Sequence, residues 1–440
     1  MTRNRGAAVR ARAARVLNQV IEGSTLEAAL DSDARDQDSA GDPRDRALLR
    51  ELTAGSLRFF PRLDGVLGAM LSKPMRRRDA ELRSLAIVGL YQLDYTRIPA
   101  HAAVSATVDA SALLGRGQAR SLLNALLRRY QRERAELEAR LNPAAAHAQP
   151  AWLWSALGDQ WADDRSAIAA ASNERPPMTL RVNATRIDRA GYLALLRDAG
   201  IEASPGARCA TAVTLVDAMD VAAIPGFDEG LCSVQDETAQ LAASCLELAP
   251  RARVLDACAA PGGKACHLLE AHPGIELTAM DISAERLAAV GENLRRLSLQ
   301  AELVEGDAST PPPSLENGGF SAIVVDAPCS ASGVVRRHPD IKLLRRAADI
   351  AGFAAQQRAI LSGLWPLLAP GGQLLYVTCS ILGEENSHTV RAFLAATADA
   401  TEEPLSLPGG RACRHGVQIL PSTGGGDGLF FARLRKGGDA

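Results

Sequence analysis

The stretch Val254-Leu-Asp-Ala-Cys-Ala-Ala-Pro-Gly-Gly-Lys264 constrains the fold more than any other in this 440-residue chain. A short apolar run ends in Asp256, breaks into Ala-Pro-Gly-Gly and gives way to a helical pattern. That order is the first strand, turn and helix of an open α/β sheet, whose ligands bind beyond the carboxyl ends of the strands. Regular alternation of strand and helix patterns follows. Strands are expected at 253–257, 276–280, 301–304, 322–325, 373–377, 417–420 and 429–433, with helices over 263–271, 284–297 and 343–368. Residues 421–428 leave no room for a helix between the last two strands, so that pair must be antiparallel. Five parallel strands and a terminal hairpin make a Rossmann-like α/β domain over 236–440.

The chain ahead of this domain has a different rhythm. Ala13, Val16, Leu17, Val20 and Ile21 recur at helical spacing, as do Leu82, Leu85, Ala86, Gly89, Leu90 and Leu93, and then Leu122, Leu123, Leu126, Leu127 and Tyr130. Breaks fall at Lys73–Pro74, at Ile98–Pro99 and over 31–45, which reads as an acidic loop. Residues 1–145 are therefore expected to be an all-α bundle. Residues 141–150 read as a linker, and short alternating runs at 179–183, 212–216 and 231–234 make 146–235 a small α+β module. Trp152, Trp154 and Trp161 fall within ten residues of one another. At helical spacing beside apolar neighbours they read as core rather than as stacking platforms for bases.

The glycine loop excludes two familiar sites. A P-loop needs a glycine five residues before its Gly-Lys pair and a hydroxyl residue after it, where this chain has Cys258 and Ala265. Nor is the loop Gly-x-Gly-x-x-Gly, so it does not indicate a nicotinamide site. What remains is close backbone approach to a nucleoside or amino-acid ligand. Asp281 ends the second strand, 25 residues past Asp256, where such folds place the acid that accepts from ribose hydroxyls. Asp307 ends the third and is placed for an adenine amine. Acids at successive strand ends after a glycine loop point to S-adenosylmethionine.

Asp326-Ala-Pro-Cys-Ser330 ends the fourth strand and Thr378-Cys-Ser380 the fifth. Neighbouring parallel strands would bring Cys329 and Cys379 to one rim. A thiolate there suits methylation of a pyrimidine, because adding it to carbon 6 makes carbon 5 nucleophilic. Asp326 is placed to hydrogen-bond the ring, and Lys264 with Arg337 to favour an ionised cysteine. The other six cysteines read as small buried hydrophobes.

These motifs resemble the RNA (cytosine-5) methyltransferase family: Asp256-Ala-Cys-Ala-Ala-Pro-Gly-Gly-Lys264, Asp326-Ala-Pro-Cys-Ser-Ala-Ser-Gly333, Arg336-Arg-His-Pro-Asp-Ile-Lys342 and Tyr376-Val-Thr-Cys-Ser380. Val234-Gln-Asp-Glu-Thr-Ala-Gln240 and Gly426-Asp-Gly-Leu-Phe-Phe431 are similar too. The helical front, with Asn124-Ala-Leu-Leu-Arg128, resembles the NusB antitermination-factor fold. The resemblance implies a class I methyltransferase that modifies one loop cytosine of small-subunit 16S ribosomal RNA. It implies Cys379 as nucleophile and Cys329 as the residue that helps release product. It implies cofactor contacts at Cys258, Ala259, Ala260, Pro261, Gly262, Gly263, Lys264, Asp281, Asp307 and Asp326. A DNA or other-RNA cytosine-5 methyltransferase, or a non-catalytic NusB-like RNA-binding protein, is the alternative. The extra Thr-Cys-Ser element favours the RNA class over a DNA enzyme, and the intact acids and cysteines argue against a non-catalytic protein.

Charge bears on the partner. The whole chain carries −2, but residues 1–150 hold 24 Lys and Arg against 17 Asp and Glu, and the remainder 25 against 34. A basic front and an acidic catalytic half suit a polyanion bound by the front. Arg76-Arg77-Arg78 and the group Arg128, Arg129, Arg132 and Arg134 fit either phosphate contacts or solvated helix ends. The eight cysteines include no Cys-x-x-Cys pair, so neither a zinc ribbon nor a disulfide scaffold is expected. No apolar run reaches the roughly 18–20 residues that span a bilayer. The Arg-rich start has no apolar signal core and leads directly into the first helix pattern. A cytoplasmic monomer without metal or membrane partner is expected.

Overall fold

The computed structural model describes residues 2–35, 42–315 and 319–438. Their contacts divide the chain into two compact units. The first comprises Met1–Glu174 with Val335–Ala347, and the second Arg175–Val334 with Ala348–Ala440. The division at Glu174 falls inside the expected 146–235 module.

The first unit is all helical. Its long members are Thr2–Ile21, Pro43–Arg58, Phe60–Met70, Ala80–Tyr95, Ala100–Leu113 and Arg120–Ala139. The apolar positions expected to face inward do so. Ala13, Val16, Leu17 and Val20 pack in one core with Leu85, Leu90, Leu123, Leu127 and Tyr130. The expected loop over 31–45 is partly helix instead. Leu26–Arg35 runs through Asp31, and Asp33 pairs with Arg12 of the first helix at 2.5 Å. Leu26, Ala29 and Leu30 supply the helical spacing that the acids obscured. Asp42 then caps the next helix by accepting from the Arg44 amide, with Pro43 at its first position. Residues 36–41 of that expected loop lie outside the described residues. Trp154 is largely buried between the His147 ring, 4.3 Å away, and the Arg165 guanidinium.

The second unit holds two sheets. The smaller is antiparallel, with strands β1 (Met178–Val182), β2 (Ala203–Pro205), β3 (Ala212–Leu215) and β4 (Cys232–Val234) in the order β2-β3-β1-β4. Tyr192 and Leu196 on the helix Arg189–Asp198 bury themselves against its Leu180, Val182 and Val213.

The larger sheet contains β5 (Arg253–Asp256), β6 (Glu276–Asp281), β7 (Glu302–Glu305), β8 (Phe320–Asp326), β9 (Leu368–Thr378), β10 (Ala400–Glu403), β11 (Arg411–Ala412), β12 (Val417–Ile419) and β13 (Leu429–Lys436). The order is β11-β12-β13-β9-β8-β5-β6-β7, with β10 also on β13. The five expected parallel strands are parallel, and β12 and β13 are antiparallel as their short connection demands. β5 pairs with both β6 and β8, so the strand order reverses at β5 and opens a crevice beyond its carboxyl end. The helix expected over 343–368 is broken. Ile341–Leu344 belongs to the first unit, Asp349–Leu364 lies in the second, and Pro366 starts a tight turn into β9.

Candidate active site

The loop after β5 is tied to both neighbouring strands. The Ala257 amide donates to the Val324 carbonyl and the Ala259 amide to the Met280 carbonyl, each at 2.9 Å. Gly262 has φ of +102°, and a Cβ there would also stand 3.2 Å from Val290. Only glycine fits that turn without strain. The helix Gly263–Ala271 then begins with its first amides toward the crevice. Asp281 is buried at the end of β6 and organises the loop. One oxygen accepts from the Ala260 amide at 3.1 Å; the other accepts from the Ser283 amide at 3.2 Å and faces Arg286. Asp307, two residues past β7, is exposed and accepts from the Ser309 amide and hydroxyl at 2.8 Å. Cys258, Ala260, Gly263 and Lys264 are half-buried, Ala259 and Gly262 are buried, and Pro261 is exposed. A tight, Cβ-free turn with acids at two adjacent strand ends fits a nucleoside carrying an amino-acid tail. S-adenosylmethionine has that composition.

Asp256 is completely buried, and neither of its oxygens makes a well-formed hydrogen bond. Burial pushes its carboxyl up to about 7, helped by Asp326 and opposed by Lys264 and the Cys258 amide. The Lys264 ammonium lies 2.5 Å from Asp326 Oδ2. Burial opposes the charge on Lys264, yet the charges of Asp326, Asp256 and Cys379 together raise its pKa. Lys264 thus serves Asp326 directly. Arg337, expected to assist it, falls in the segment Val335–Ala347 that packs with the helical unit.

The parallel register of β8 and β9 sets Asp326 opposite Val377. The two cysteines follow these strand ends within three residues, and their sulfurs lie 3.4 Å apart. Cys329 is buried and Cys379 is partly exposed. The Cys329 thiol is pushed well above its ordinary range by its hydrogen bond to Cys379, then by burial and by the charges of Cys379 and Glu385. The remaining cysteines are free thiols as well. Burial, more than any neighbouring charge, lifts Cys209 and Cys245 to about 12 and Cys266 to about 11, and Cys232 accepts from the Tyr192 hydroxyl at 2.9 Å.

Several residues that position these groups escaped the sequence reading. Arg181 on β1 forms a buried bidentate pair with Glu270, at 2.8 and 2.9 Å. Its other arm donates at 2.7 Å to Gln235 Oε1 and to the Gly263 carbonyl at the loop. An arginine inside an alternating strand was the available signal, since such a residue needs a partner when buried. Behind the cysteines, Ser330, Ser332, Ser380 and Glu385 form a buried polar group. Gly333 donates to the Cys379 carbonyl, and a Cβ on it would stand 2.1 Å from the Gly428 carbonyl oxygen. Serines beside both cysteines, with acids soon after, could have suggested this cluster. Among the described residues, no group of His, Cys, Asp or Glu could hold a metal ion, and no helix is long and apolar enough to cross a membrane.

Comparison with known proteins agrees with this architecture. The family model described as 16S rRNA methyltransferase RsmB/F matches residues 243–435. A ferredoxin-like domain model of RsmF/B-like methyltransferases matches 149–222, and the NusB family model matches 7–132. Ribosomal RNA small subunit methyltransferase B of Pseudomonas putida is 49% identical over 96% of this chain and 97% of its own length. The protein of that name in Vibrio cholerae is 44% identical over 97% of each. The crystal structure of a methyltransferase homolog protein from Pyrococcus horikoshii superposes with a TM-score of 0.59 at 25% identity, covering 67% of this chain and all of that one.

Proposed function

The chain belongs to the 16S rRNA methyltransferase RsmB/F family, and from that membership and the paired thiols we propose how it works. It is an S-adenosylmethionine-dependent enzyme that methylates carbon 5 of a cytosine in 16S ribosomal RNA. The single observation that carries this reading is the 3.4 Å approach of the Cys329 and Cys379 sulfurs beside the Lys264–Asp326 pair.

Bound S-adenosylmethionine supplies an electrophilic methyl group. The residues that would hold it are Cys258, Ala259, Ala260, Pro261, Gly262, Gly263 and Lys264 of the loop, with Asp281, Asp307 and Asp326. Carbon 5 of cytosine is a weak nucleophile. The Cys379 thiolate adds to carbon 6, forming a carbon–sulfur bond and making carbon 5 enamine-like, so that it can take the methyl group. Loss of the carbon-5 proton then returns the ring double bond and expels Cys379 as thiolate. Cys329 is protonated while it donates to the Cys379 thiolate. Once Cys379 is bound to carbon 6, Cys329 gives that proton to solvent, and its thiolate then takes the carbon-5 proton in this release step. Asp326, fixed by Lys264, hydrogen-bonds the ring and steadies the charge that thiolate attack builds up.

RNA is gripped by the basic helical front, residues 1–145, where Lys73, Arg76, Arg77, Arg78, Arg128 and Arg132 are exposed. Residues 146–235 link that grip to the catalytic part, 236–440. The free cysteines suit a reducing cytoplasm. Large exposed hydrophobics are few and scattered among the described residues, which suits a monomer. The test is incubation with labelled S-adenosylmethionine and 16S rRNA, then nucleoside analysis. Label in 5-methylcytidine is expected. Label in another nucleoside, or transfer to DNA in preference to RNA, would overturn the assignment.

A further inference from the structure

Glu385 is fully buried, in a stretch that follows Thr378-Cys-Ser380 and precedes the helix Ser387–Ala396. Its Oε1 accepts from the Ser330 amide at 2.6 Å and from the Gln357 side-chain amide at 3.4 Å. Its Oε2 accepts from the Ser330 and Ser380 hydroxyls, both at 2.6 Å. Ser330 is the residue after Cys329, and Ser380 the residue after Cys379. One carboxylate therefore ties together the two loops that carry the thiols. Ser332 closes the cluster, 3.2 Å from the Ser330 hydroxyl and 3.1 Å from that of Ser380, and accepts from the Ile381 amide.

Four donors converge on two oxygens, and two of them, the Ser330 amide and the Gln357 amide, can only donate. Both meet Oε1, so that side of the site calls for an acceptor, whereas the serine hydroxyls at Oε2 are free to turn. A buried charge is costly unless it is hydrogen-bonded in this way. If holding two serines were all that was required, an amide or hydroxyl would do so without that cost. Two of the four bonds come from Ser330, the backbone amide beside Cys329 among them, against one from Ser380 beside Cys379.

We propose that Glu385 is a positioning residue that decides which thiol attacks: its charge keeps the proton on Cys329, so that Cys329 donates to Cys379 and the thiolate resides on Cys379. The assignment rests on the two-thiol mechanism proposed above. The groups acting on the pair are Lys264 toward Cys379, and Glu385 and Tyr376 toward Cys329, with Arg358 acting on Tyr376. Burial raises the pKa of Glu385 itself, and the bonds from Ser330 and Ser380 oppose that rise.

The test uses full-length Glu385→Gln protein. Glutamine keeps the shape and one acceptor, and the serine hydroxyls can turn to accept from its amide. Thiol reactivity is read by iodoacetamide labelling and peptide mass spectrometry across pH, with the other six cysteines as internal standards. Labelling of Cys329 at pH 8 should rise about tenfold relative to Cys379, the change that one pKa unit produces. In parallel, kcat should fall on the order of a hundredfold while the KM for RNA and the affinity for S-adenosylmethionine stay within about twofold. Unchanged labelling would overturn the proposal, whether activity is retained or is lost together with cofactor affinity. Cys379→Ala, assayed alongside, tests the underlying mechanism. Full activity in that variant would remove the mechanism, whereas an inactive Cys379→Ala with a normally labelled Glu385→Gln removes only the role of Glu385.

Discussion

One thiol and one carboxyl at this site, Cys329 and Asp256, have their pKa raised by their surroundings, and each makes a prediction. In the proposed mechanism Cys329 serves release, so Cys329→Ala should accumulate a protein–RNA adduct that survives denaturing electrophoresis. Free RNA alone, under turnover conditions, would contradict that role. Asp256 has its folded pKa raised to about 7 by burial, above the value near 4 of an unfolded aspartate. A raised folded pKa favours the folded state fully below the unfolded value, and the advantage is lost as pH rises through the folded one. The loss between about pH 4 and 7 amounts to at most roughly 4 kcal/mol. The wild-type Tm should therefore fall from pH 5 to 8 and Asp256→Asn should flatten that fall; parallel dependences in the two proteins would refute this. Both cysteines and Asp326 were legible because each follows an apolar strand directly. Glu385 was not, because an acid six residues past Cys379 looks like loop surface until the fold buries it.

Elements join through a few buried polar ties. Arg181 connects β1 to the helix Gly263–Ala271 through Glu270 and to the cofactor loop through the Gly263 carbonyl. Arg181→Met leaves Glu270 as an unpaired buried charge, which costs about 3–5 kcal/mol. It should also raise the dissociation constant for S-adenosylmethionine in calorimetric titration, because the loop carbonyl loses its anchor. Lower stability with unchanged cofactor affinity would confine Arg181 to a structural role. Strand patterning marked all five parallel strands, four of which carry buried apolar runs while β7 at the sheet edge is mostly exposed. It missed β2, β10 and β11, which are two to four residues long and largely exposed, and so carry little pattern. The break between Leu344 and Asp349 was hidden because both pieces keep helical spacing while belonging to different units.

Across the whole molecule, the basic front and the catalytic sheet are separate compact units, but the chain crosses between them more than once. Lys342 shows how firmly the returning segment is held. Its buried ammonium donates to the Arg58 and Ala148 carbonyls and to Asn173. Deleting residues 1–145 would strip one of those acceptors, the Arg58 carbonyl, so surface substitution is the cleaner probe of RNA binding. Replacing Arg76, Arg77 and Arg78 together by alanine should reduce the slope of log affinity against log salt by about 2–3. An unchanged slope would take those arginines out of the RNA contact. Charge asymmetry along the sequence showed which half was basic; it held no sign that 335–347 would pack with that half. In the proposed mechanism Cys379 drives methylation of one 16S cytosine. Bisulfite sequencing of 16S rRNA treated with wild-type protein or Cys379→Ala tests it most directly. One cytosine should resist deamination after wild-type treatment and none after the variant. No protected cytosine with the wild type, or the same protected cytosine with both, would contradict the account.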